Sequence, residues 1–131
     1  MASIFSKIVA GEIPCYKVAE NDLFFAFLDI QPLKPGHTLV IPKTEINYIF
    51  DIDDALLGQM MVFAKKVAHG IQAVVPCERI GVSVIGLEVP HAHIHLIPIE
   101  SVSDINFSKA KMQLDKDEMV RLASQISAAV S

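Results

Sequence analysis

The longest regular pattern of apolar positions runs through residues 51–75 and predicts a helix there. Its apolar residues recur at intervals of four and three, which places them on one side of a helix with 3.6 residues per turn. Acidic residues at the start of the segment suit a helix N-terminus because they cap it and interact favourably with its dipole, and Pro76 helps to end the helix. The apolar stripe consists of Leu56, Met60, Phe63, Val67, Ile71 and Val74.

Shorter apolar runs, separated by turn residues, predict strands. The turn cluster Glu20-Asn21-Asp22 joins the first two runs into a hairpin, and Pro42 ends the third. Between the second and third runs, residues 29–36 contain two prolines and a glycine and predict a loop. The predicted strands cover residues 15–19, 23–28, 37–41, 79–85 and 89–97.

A second helix is predicted to open at Asp115. The Asp115 carboxylate can cap the helix, Glu118 follows three residues later, and Leu114 can contact Met119 across the first turn. The preceding residues 101–111 have no clear period and are interpreted as a loop. The stripe predicted to be buried consists of Met119, Leu122, Ala123, Ile126 and Val130.

The order of these elements predicts an α+β fold. Strand pairs alternate with helices, and the connections are short, which is typical of an antiparallel sheet with helices packed on it. Residues 4–9 add a short helical turn at the N-terminus. We therefore expect residues 1–131 to form one domain: an antiparallel sheet of about five strands, one long central helix, a short N-terminal helix and a C-terminal helix.

Three histidines, His91, His93 and His95, alternate with apolar residues. Side chains two residues apart in a strand share a face, so the three imidazoles are expected on one face, with Pro98 ending the strand. The residues expected on the opposite, core face are Ala92, Ile94 and Leu96.

The alternating histidines need a chemical explanation, because burying three rings without partners costs about 1–3 kcal/mol each. One interpretation is a metal site, since neutral imidazole is a common zinc ligand. The other is acid–base or nucleophilic chemistry on a phosphate, since the usual pKa of histidine is about 6.5. A fourth histidine, His37, stands at the mouth of a strand. By its position alone it is more typical of a structural residue.

Composition narrows the class of protein further. Hydrophobic residues make up 52% of the 131 residues, which excludes disorder and suits one domain with a core. The net charge is −4 and no basic cluster occurs, which argues against nucleic acid as a partner. No apolar run reaches the roughly 18 residues typical of a membrane span. The sequence shows no secretory signal, and Cys15 and Cys77 have no metal-site spacing, so we expect a cytoplasmic protein.

Several segments together resemble one known family. The residues from His91 to Ile97 match the histidine triad pattern, in which three histidines alternate with apolar residues. Further matching segments occur in the order of that family, and they cover roughly the first 100 residues: Ile4–Ile8, Glu12–Pro14, Phe27–Pro32 and Gly36–Lys43. The chain resembles the histidine triad (HIT) family, and within it the bacterial-type purine nucleoside phosphoramidate hydrolases.

This resemblance implies a hydrolase or nucleotidyl transferase that acts at the α-phosphate of a purine nucleotide without a cofactor. His93 is expected to attack phosphorus and form a nucleotidyl-histidine, which water then hydrolyses. His91 and His95 are expected to flank the phosphate, with His37 behind them. A backbone carbonyl in the link around Gly86 is expected to orient the other ring nitrogen of His93.

The resemblance also assigns residues to nucleotide binding. Asp29 matches a carboxylate that accepts hydrogen bonds from the ribose hydroxyls, although it also suits a residue that merely starts a turn. Gly86 and Glu88 lie in the link that faces the phosphate. The residues that match the apolar slot for the base are Ile4, Phe5, Ile8, Phe27 and Ile30.

Departures from the family pattern leave alternatives open. Ser3 and Ser6 stand where many relatives have zinc-binding cysteines, so we expect no structural zinc. Ile85, Leu87 and Glu88 replace Asn, Gln and Ser of the link, which favours the alternative of a nucleotide-binding regulatory module with little catalysis. A protein that uses the triad as metal ligands is a third hypothesis. By analogy with the family, and from the apolar surface of the long helix, we expect a homodimer.

Overall fold

The structure is a computed structural model and describes residues 2–130 of the chain. Three α-helices occur in this part: α1 spans Ile4–Val9, α2 spans Asp54–Val74 and α3 spans Lys116–Ala129. Short 3₁₀ turns lie at Ile49–Asp51 and Val102–Asp104. Within residues 2–130, no helix combines the length and the apolar character that crossing a bilayer requires.

Five strands form one antiparallel sheet in the order β1-β2-β3-β5-β4. Their bounds are Lys17–Glu20 for β1, Phe24–Leu28 for β2, Thr38–Pro42 for β3, Arg79–Ser83 for β4 and Ile94–Ile99 for β5. The predicted hairpin of the first two strands is confirmed. The fold class, the number of strands and the three helices are likewise as expected.

The strand that carries the histidines is shorter at its start than predicted. It begins at Ile94, so His91 and His93 precede it. Continuing the β3–β5 register would place Ala92 opposite Pro42, which has no N–H to donate to the ladder. The Ala92 N–H instead donates to the carbonyl of Ile46 at 2.7 Å, and the Pro42 carbonyl accepts from the His91 ring.

The prediction that Pro98 ends this strand is also wrong. Pro98 lies within β5 and pairs with Ile80 of β4. It is tolerated because β5 pairs with β3 only from Ile94 to Leu96, so Pro98 lies beyond the end of that ladder.

Both long helices pack against one face of the sheet. α2 contributes Met60, Phe63, Val67 and Ile71, and the core face of the histidine segment contributes Ala92, Ile94 and Leu96, as predicted. The predicted cap of α3 is confirmed, since Asp115 accepts a hydrogen bond from the Glu118 N–H at 2.7 Å. The predicted α3 residues Met119, Leu122, Ala123 and Ile126 are buried, and Val130 is half-buried.

The opposite face of the sheet carries α1 and a second apolar cluster. This cluster contains Phe5, Ile8, Phe25, Phe27, Leu39 and Ile41. Leu39 pairs with His95, so His95 projects from the same face as this cluster. The sheet therefore lies between two layers, with the histidines in the layer of α1.

Candidate active site

Four buried histidines lie together on the α1 face of the sheet. His91 is 0% exposed, His37 1%, His93 7% and His95 8%. The His93 and His95 ring centroids are 5.0 Å apart, and those of His37 and His95 are 5.2 Å apart. Every buried side-chain polar atom of residues 2–130 has a hydrogen-bond partner. The partners of these rings therefore determine which nitrogen carries each proton.

His37 connects the Leu33 backbone to His95 of the triad through two hydrogen bonds. Nδ1 of His37 accepts from the Leu33 N–H at 3.0 Å, so the proton of the neutral ring is on Nε2. This Nε2–H donates to Nδ1 of His95 at 3.0 Å. The proton of His95 is therefore on Nε2, the ring nitrogen left to face a substrate.

His93 has the opposite arrangement. Its Nδ1 lies 2.7 Å from the carbonyl oxygen of His91, which can only accept, so Nδ1 carries the proton. The Nε2 lone pair is then available to attack an electrophile. The expectation that the Gly86 link supplies the orienting carbonyl is wrong, because the turn at Pro90 brings the carbonyl of His91 itself onto the ring.

His91 connects the triad to the start of α1. Its Nε2–H donates to the Pro42 carbonyl at 2.8 Å, so Nδ1 accepts from the Ser3 hydroxyl at 2.8 Å. Ser3 is also the N-cap of α1, where its hydroxyl oxygen accepts from the Ser6 N–H. The Ser3 N–H and the Ser6 hydroxyl both donate to Glu45, and these bonds hold the pKa of Glu45 at about 2.

Burial keeps three of the rings neutral at pH 7. Burial, with smaller effects from His95 and the Lys111 ammonium, lowers the pKa of His37 to about 3. Burial, His93 and Lys111 lower the pKa of His95 to about 4. Burial also lowers the pKa of His91, although the Pro42 carbonyl opposes this. Neutral rings agree with the donor and acceptor assignments above, because a protonated imidazole could accept no hydrogen bond.

Asp29 lies just past the end of β2, beside His37. One carboxylate oxygen accepts from the Gln31 N–H at 2.9 Å, which is the turn-starting contact expected of this residue type. The other oxygen lies 3.6 Å from Nε2 of His37, beyond hydrogen-bonding distance. Burial raises the pKa of Asp29, and the Gln31 N–H opposes that shift.

The five residues predicted for the apolar slot separate into a buried floor and an exposed rim. Phe5, Ile8 and Phe27 are buried, whereas Ile4 is 49% exposed and Ile30 70% exposed. The Phe5 ring contacts Phe27 edge-on at 5.4 Å and contacts the His93 ring at 5.0 Å. The buried floor is therefore continuous with the histidine cluster.

The link between β4 and the histidines contains two of the residues predicted for nucleotide binding, Gly86 and Glu88. Gly86, at φ +77°, lines a groove of about 500 Å³ together with Tyr48 and Leu57. The Glu88 carboxylate makes a small contribution to the raised pKa of Asp29. Burial remains the main cause of that shift.

Asp29, His37 and His95 are also spaced as metal ligands, since one ligand atom from each lies within 4.8 Å of the others. However, Nδ1 of His37 is occupied by the Leu33 N–H, so Nε2 carries a proton and cannot bind a metal. These three residues therefore fit a hydrogen-bonded chain better than a metal site. At Ser3 and Ser6, neutral hydroxyls replace thiolates, the stronger zinc ligands. The absence of structural zinc stays a prediction.

Two residues near the histidines lie in the segment that the sequence predicted only as a loop. The Phe107 ring contacts the His95 ring at 4.7 Å, and Nζ of Lys111 lies 5.6 Å from the centre of the Phe107 ring. Phe107 is the only phenylalanine, tyrosine or tryptophan after position 63. That isolation is the one signal in the sequence that could have identified it.

Comparison with known proteins relates this geometry to one family. The sequence model of the HIT domain matches residues 10–102. A HIT-like protein of Borreliella burgdorferi is 36% identical over 132 residues, which cover 95% of each chain. An adenosine 5'-monophosphoramidase of Schizosaccharomyces pombe is 40% identical over 103 residues, which cover 75% of this chain and 74% of that protein.

Solved structures show the same relationship in three dimensions. The crystal structure of a Hit-like protein of Bartonella henselae superposes with a TM-score of 0.83 at 30% identity, covering 97% of this chain and 95% of that one. The antiparallel five-stranded sheet with three helices is thus the fold of a known HIT protein. The chain belongs to the HIT family.

Proposed function

We propose that this protein is a nucleotide hydrolase that acts at the α-phosphate of purine nucleoside phosphoramidates or related nucleotides through a covalent nucleotidyl-histidine. The observation that carries this proposal is the 2.7 Å contact between Nδ1 of His93 and the carbonyl of His91, which leaves the Nε2 lone pair of His93 available for attack. Relatives named adenosine 5'-monophosphoramidase support the same class of reaction.

The proposed reaction has two displacements at phosphorus. The phosphoramidate reacts in the form that is protonated on the nitrogen bound to phosphorus. The bond from His93 Nε2 to phosphorus forms while the phosphorus–nitrogen bond breaks, and ammonia or an amine leaves neutral. Water then forms the new phosphorus–oxygen bond as the bond to His93 breaks. One proton of the water stays on the new phosphate oxygen of the released nucleoside monophosphate. The other proton passes through Nε2 of His93 to solvent.

The neighbouring histidines orient His93 and provide a hydrogen-bond donor for the phosphate. His91 orients His93 through its backbone carbonyl, and Ser3 and Pro42 fix the His91 ring. His95 has its proton on Nε2 because His37 donates to its Nδ1, so it can donate a hydrogen bond to a phosphoryl oxygen. The hydrogen bonds that Nδ1 of His91 accepts from Ser3 and Nδ1 of His95 accepts from His37 require neutral rings, in agreement with the lowered pKa of His91 and the pKa of about 4 for His95.

The nucleoside is proposed to bind beside the histidines. The base occupies the slot with Phe5, Ile8 and Phe27 as its floor and Ile4 and Ile30 as its rim. Asp29 is proposed to accept from the ribose hydroxyls with the carboxylate oxygen that has no hydrogen bond to any of residues 2–130. We also propose that the protein works in the cytoplasm.

One feature favours a second candidate function, a nucleotide-binding regulatory module with little catalysis. Ile85, Leu87 and Glu88 occupy the link between β4 and the histidines, and none has a side-chain amide or hydroxyl donor for a phosphate. Ile85 and Leu87 are exposed, and Glu88 adds negative charge near Asp29. Slow turnover with retained nucleotide binding is the result that this candidate predicts.

A turnover assay separates the two candidates. Adenosine phosphoramidate should be hydrolysed to AMP, and it should be compared with dinucleoside polyphosphates and nucleotidylated sugars. His93→Ala should abolish turnover and leave AMP binding largely intact, because the base slot and Asp29 are untouched. His69→Ala is the matched control, since His69 is exposed on α2, away from the triad.

Rapid quench with labelled substrate, followed by peptide mass spectrometry, should locate the nucleotidyl adduct on His93. An adduct on another residue, or near-normal turnover by His93→Ala, contradicts the mechanism. AMP binding by the wild type without turnover of any of these substrates supports the regulatory module.

A further inference from the structure

The segment between β5 and α3 crosses the histidine face of the sheet. We refer to Ile105–Met112 as the strap. Its Phe107 ring packs edge-on against His95 at 4.7 Å and lies 6.3 Å from the His37 ring. Phe5 of α1 contacts His93 on the other side of the cluster. The histidines are thus bordered by α1 and by the strap.

Contacts with three other parts of the fold hold the strap in place. Just before it, Asp104 forms an ion pair with Lys34 at 3.3 Å. Ile105 lies against Gly81 of β4, where a Cβ atom would come within 2.5 Å of the Ile105 side chain. At its far end, the Met112 N–H donates to the Pro32 carbonyl at 2.8 Å. The strap therefore has a built position over the sheet.

These contacts bring a positive charge to the site. Nζ of Lys111 donates to the Phe107 carbonyl at 2.6 Å, with a longer contact to the Lys109 carbonyl at 3.4 Å. An ammonium group has three donors, so at least one remains for another acceptor. The Lys111 charge also contributes, after burial, to the lowered pKa of His37 and of His95, and it opposes the raised pKa of Asp29.

A cation is needed at this position because the charged groups nearby are otherwise acidic. Asp29 and Glu88 bring negative charge towards a site proposed to hold a phosphate. His37 and His95 are neutral at pH 7, and the chain has a net charge of −4, so neither supplies a positive potential.

We propose that Lys111 contacts the phosphate of the bound purine nucleoside monophosphate, and that the strap is a specificity-determining part of the nucleotide site. This inference rests on the proposed function and adds to it. The strap lies outside the histidine motif and provides the positive charge that Glu88 and the neutral rings of His37 and His95 do not. Nucleotides are then distinguished from nucleosides largely by Lys111.

Calorimetric binding of AMP and of adenosine tests this role. Lys111→Gln should weaken AMP binding about fivefold to tenfold, the range between an exposed ion pair and a charged hydrogen bond, and leave adenosine binding unchanged. Lys111→Arg should restore most of the loss because it keeps the charge. Lys109→Gln is the matched control, since Lys109 lies on the strap, is exposed and contributes only its backbone carbonyl to Lys111.

The outcomes distinguish this inference from the proposed function. Unchanged AMP binding by Lys111→Gln overturns the role of Lys111, as does an equal loss for AMP and adenosine, which shows a structural role only. A wild type that binds no AMP overturns the inference and the proposed function together. A selective loss of AMP binding in a protein without turnover supports the inference and overturns the catalytic proposal alone.

Discussion

At the residue scale, the four histidines differ because each ring has a partner of one fixed kind. A backbone carbonyl can only accept and a backbone N–H can only donate. The carbonyls of His91 and Pro42 and the N–H of Leu33 therefore assign the protons of His93, His91 and His37. The assignment of His95 follows from His37. Two imidazole side chains thus differ in function: Nε2 provides a lone pair at His93 and an N–H donor at His95.

Asp29 allows a sharp test at this scale, because one carboxylate oxygen accepts from the Gln31 N–H and the other lies 3.6 Å from His37, beyond hydrogen-bonding distance. Asp29→Asn retains an oxygen for the Gln31 N–H, and with it the turn, but removes the charge. A hydrogen bond to a charged group contributes about 1.5–3 kcal/mol. We therefore expect AMP binding to weaken about tenfold or more, and binding of 2′,3′-dideoxy-AMP to stay nearly unchanged. Calorimetric titration of both nucleotides gives the comparison. Equal losses for the two nucleotides show that Asp29 only supports the loop.

At the element scale, two glycines of α2 show how packing can oppose helix propensity. At Gly58, no atom of residues 2–130 lies within 4 Å of the position of a Cβ, apart from the chain neighbours and the nearby helix backbone. At Gly70 a Cβ would lie 2.7 Å from the Val130 side chain, and 3.1 Å from both the Ile126 carbonyl and the Val130 nitrogen. By helix propensity alone, Gly70 would only weaken α2. In the structure it lets the end of α3 approach α2 closely.

This difference predicts opposite effects for the same substitution in one helix. Gly58→Ala should raise the free energy of unfolding by about 0.5–1 kcal/mol through helix propensity alone. Gly70→Ala should lower it by about 1 kcal/mol or more, because the methyl group meets backbone atoms of α3 that cannot rotate away. Urea unfolding followed by circular dichroism measures both. Stabilisation by Gly70→Ala to the same extent as by Gly58→Ala rules out the close contact between the helices.

At the scale of the whole molecule, the largest group of exposed apolar side chains lies elsewhere than expected. The apolar stripe of α2 was expected to supply part of a dimer interface, but Met60, Phe63, Val67 and Ile71 are buried in the core of the protomer. Met61 and Val62 are exposed on another side of α2, and a larger group of exposed apolar residues follows the edge strand β4 and the groove beside it. They are Tyr48, Phe50, Val82, Val84, Ile85 and Leu87.

The homodimer stays a prediction, now based on this edge. An edge strand that pairs on one side only, beside apolar side chains, is a surface that a second copy can cover. Sedimentation at micromolar concentration should give twice the 14.4 kDa of one chain. Val82→Asp should shift the protein towards monomer, because it places a charge at the edge.

The control for the dimer is Val120→Asp. Val120 on α3 is 50% exposed and Val82 is 51% exposed, but α3 packs over β1, at the opposite edge of the sheet. This variant should remain a dimer. A wild-type monomer at micromolar concentration, or dissociation by both variants alike, contradicts an interface at β4.

The sequence by itself determined the features that depend on near neighbours in the chain. The period of the α2 stripe, the Asp115 cap and the first hairpin were predicted because each signal lies within a few residues. The triad, His37 and Asp29 were identified as site candidates because the order of residue types matches a family. The protonation pattern of the histidines followed from none of these signals.

Tertiary structure alone decided what those histidines contact. Ser3 and His91 are 88 residues apart, and His37 and His95 are 58 apart, so no local pattern reports these hydrogen bonds. Pro42 shortens the ladder, so its carbonyl accepts a hydrogen bond from the His91 ring. A strand prediction for residues 89–97 could not include this contact. Phe107 and Lys111 reach the site only because Gly81 and Pro32 hold an aperiodic segment over the sheet. Periodicity reports which face of an element is buried, whereas the partner across the fold depends on where distant segments meet.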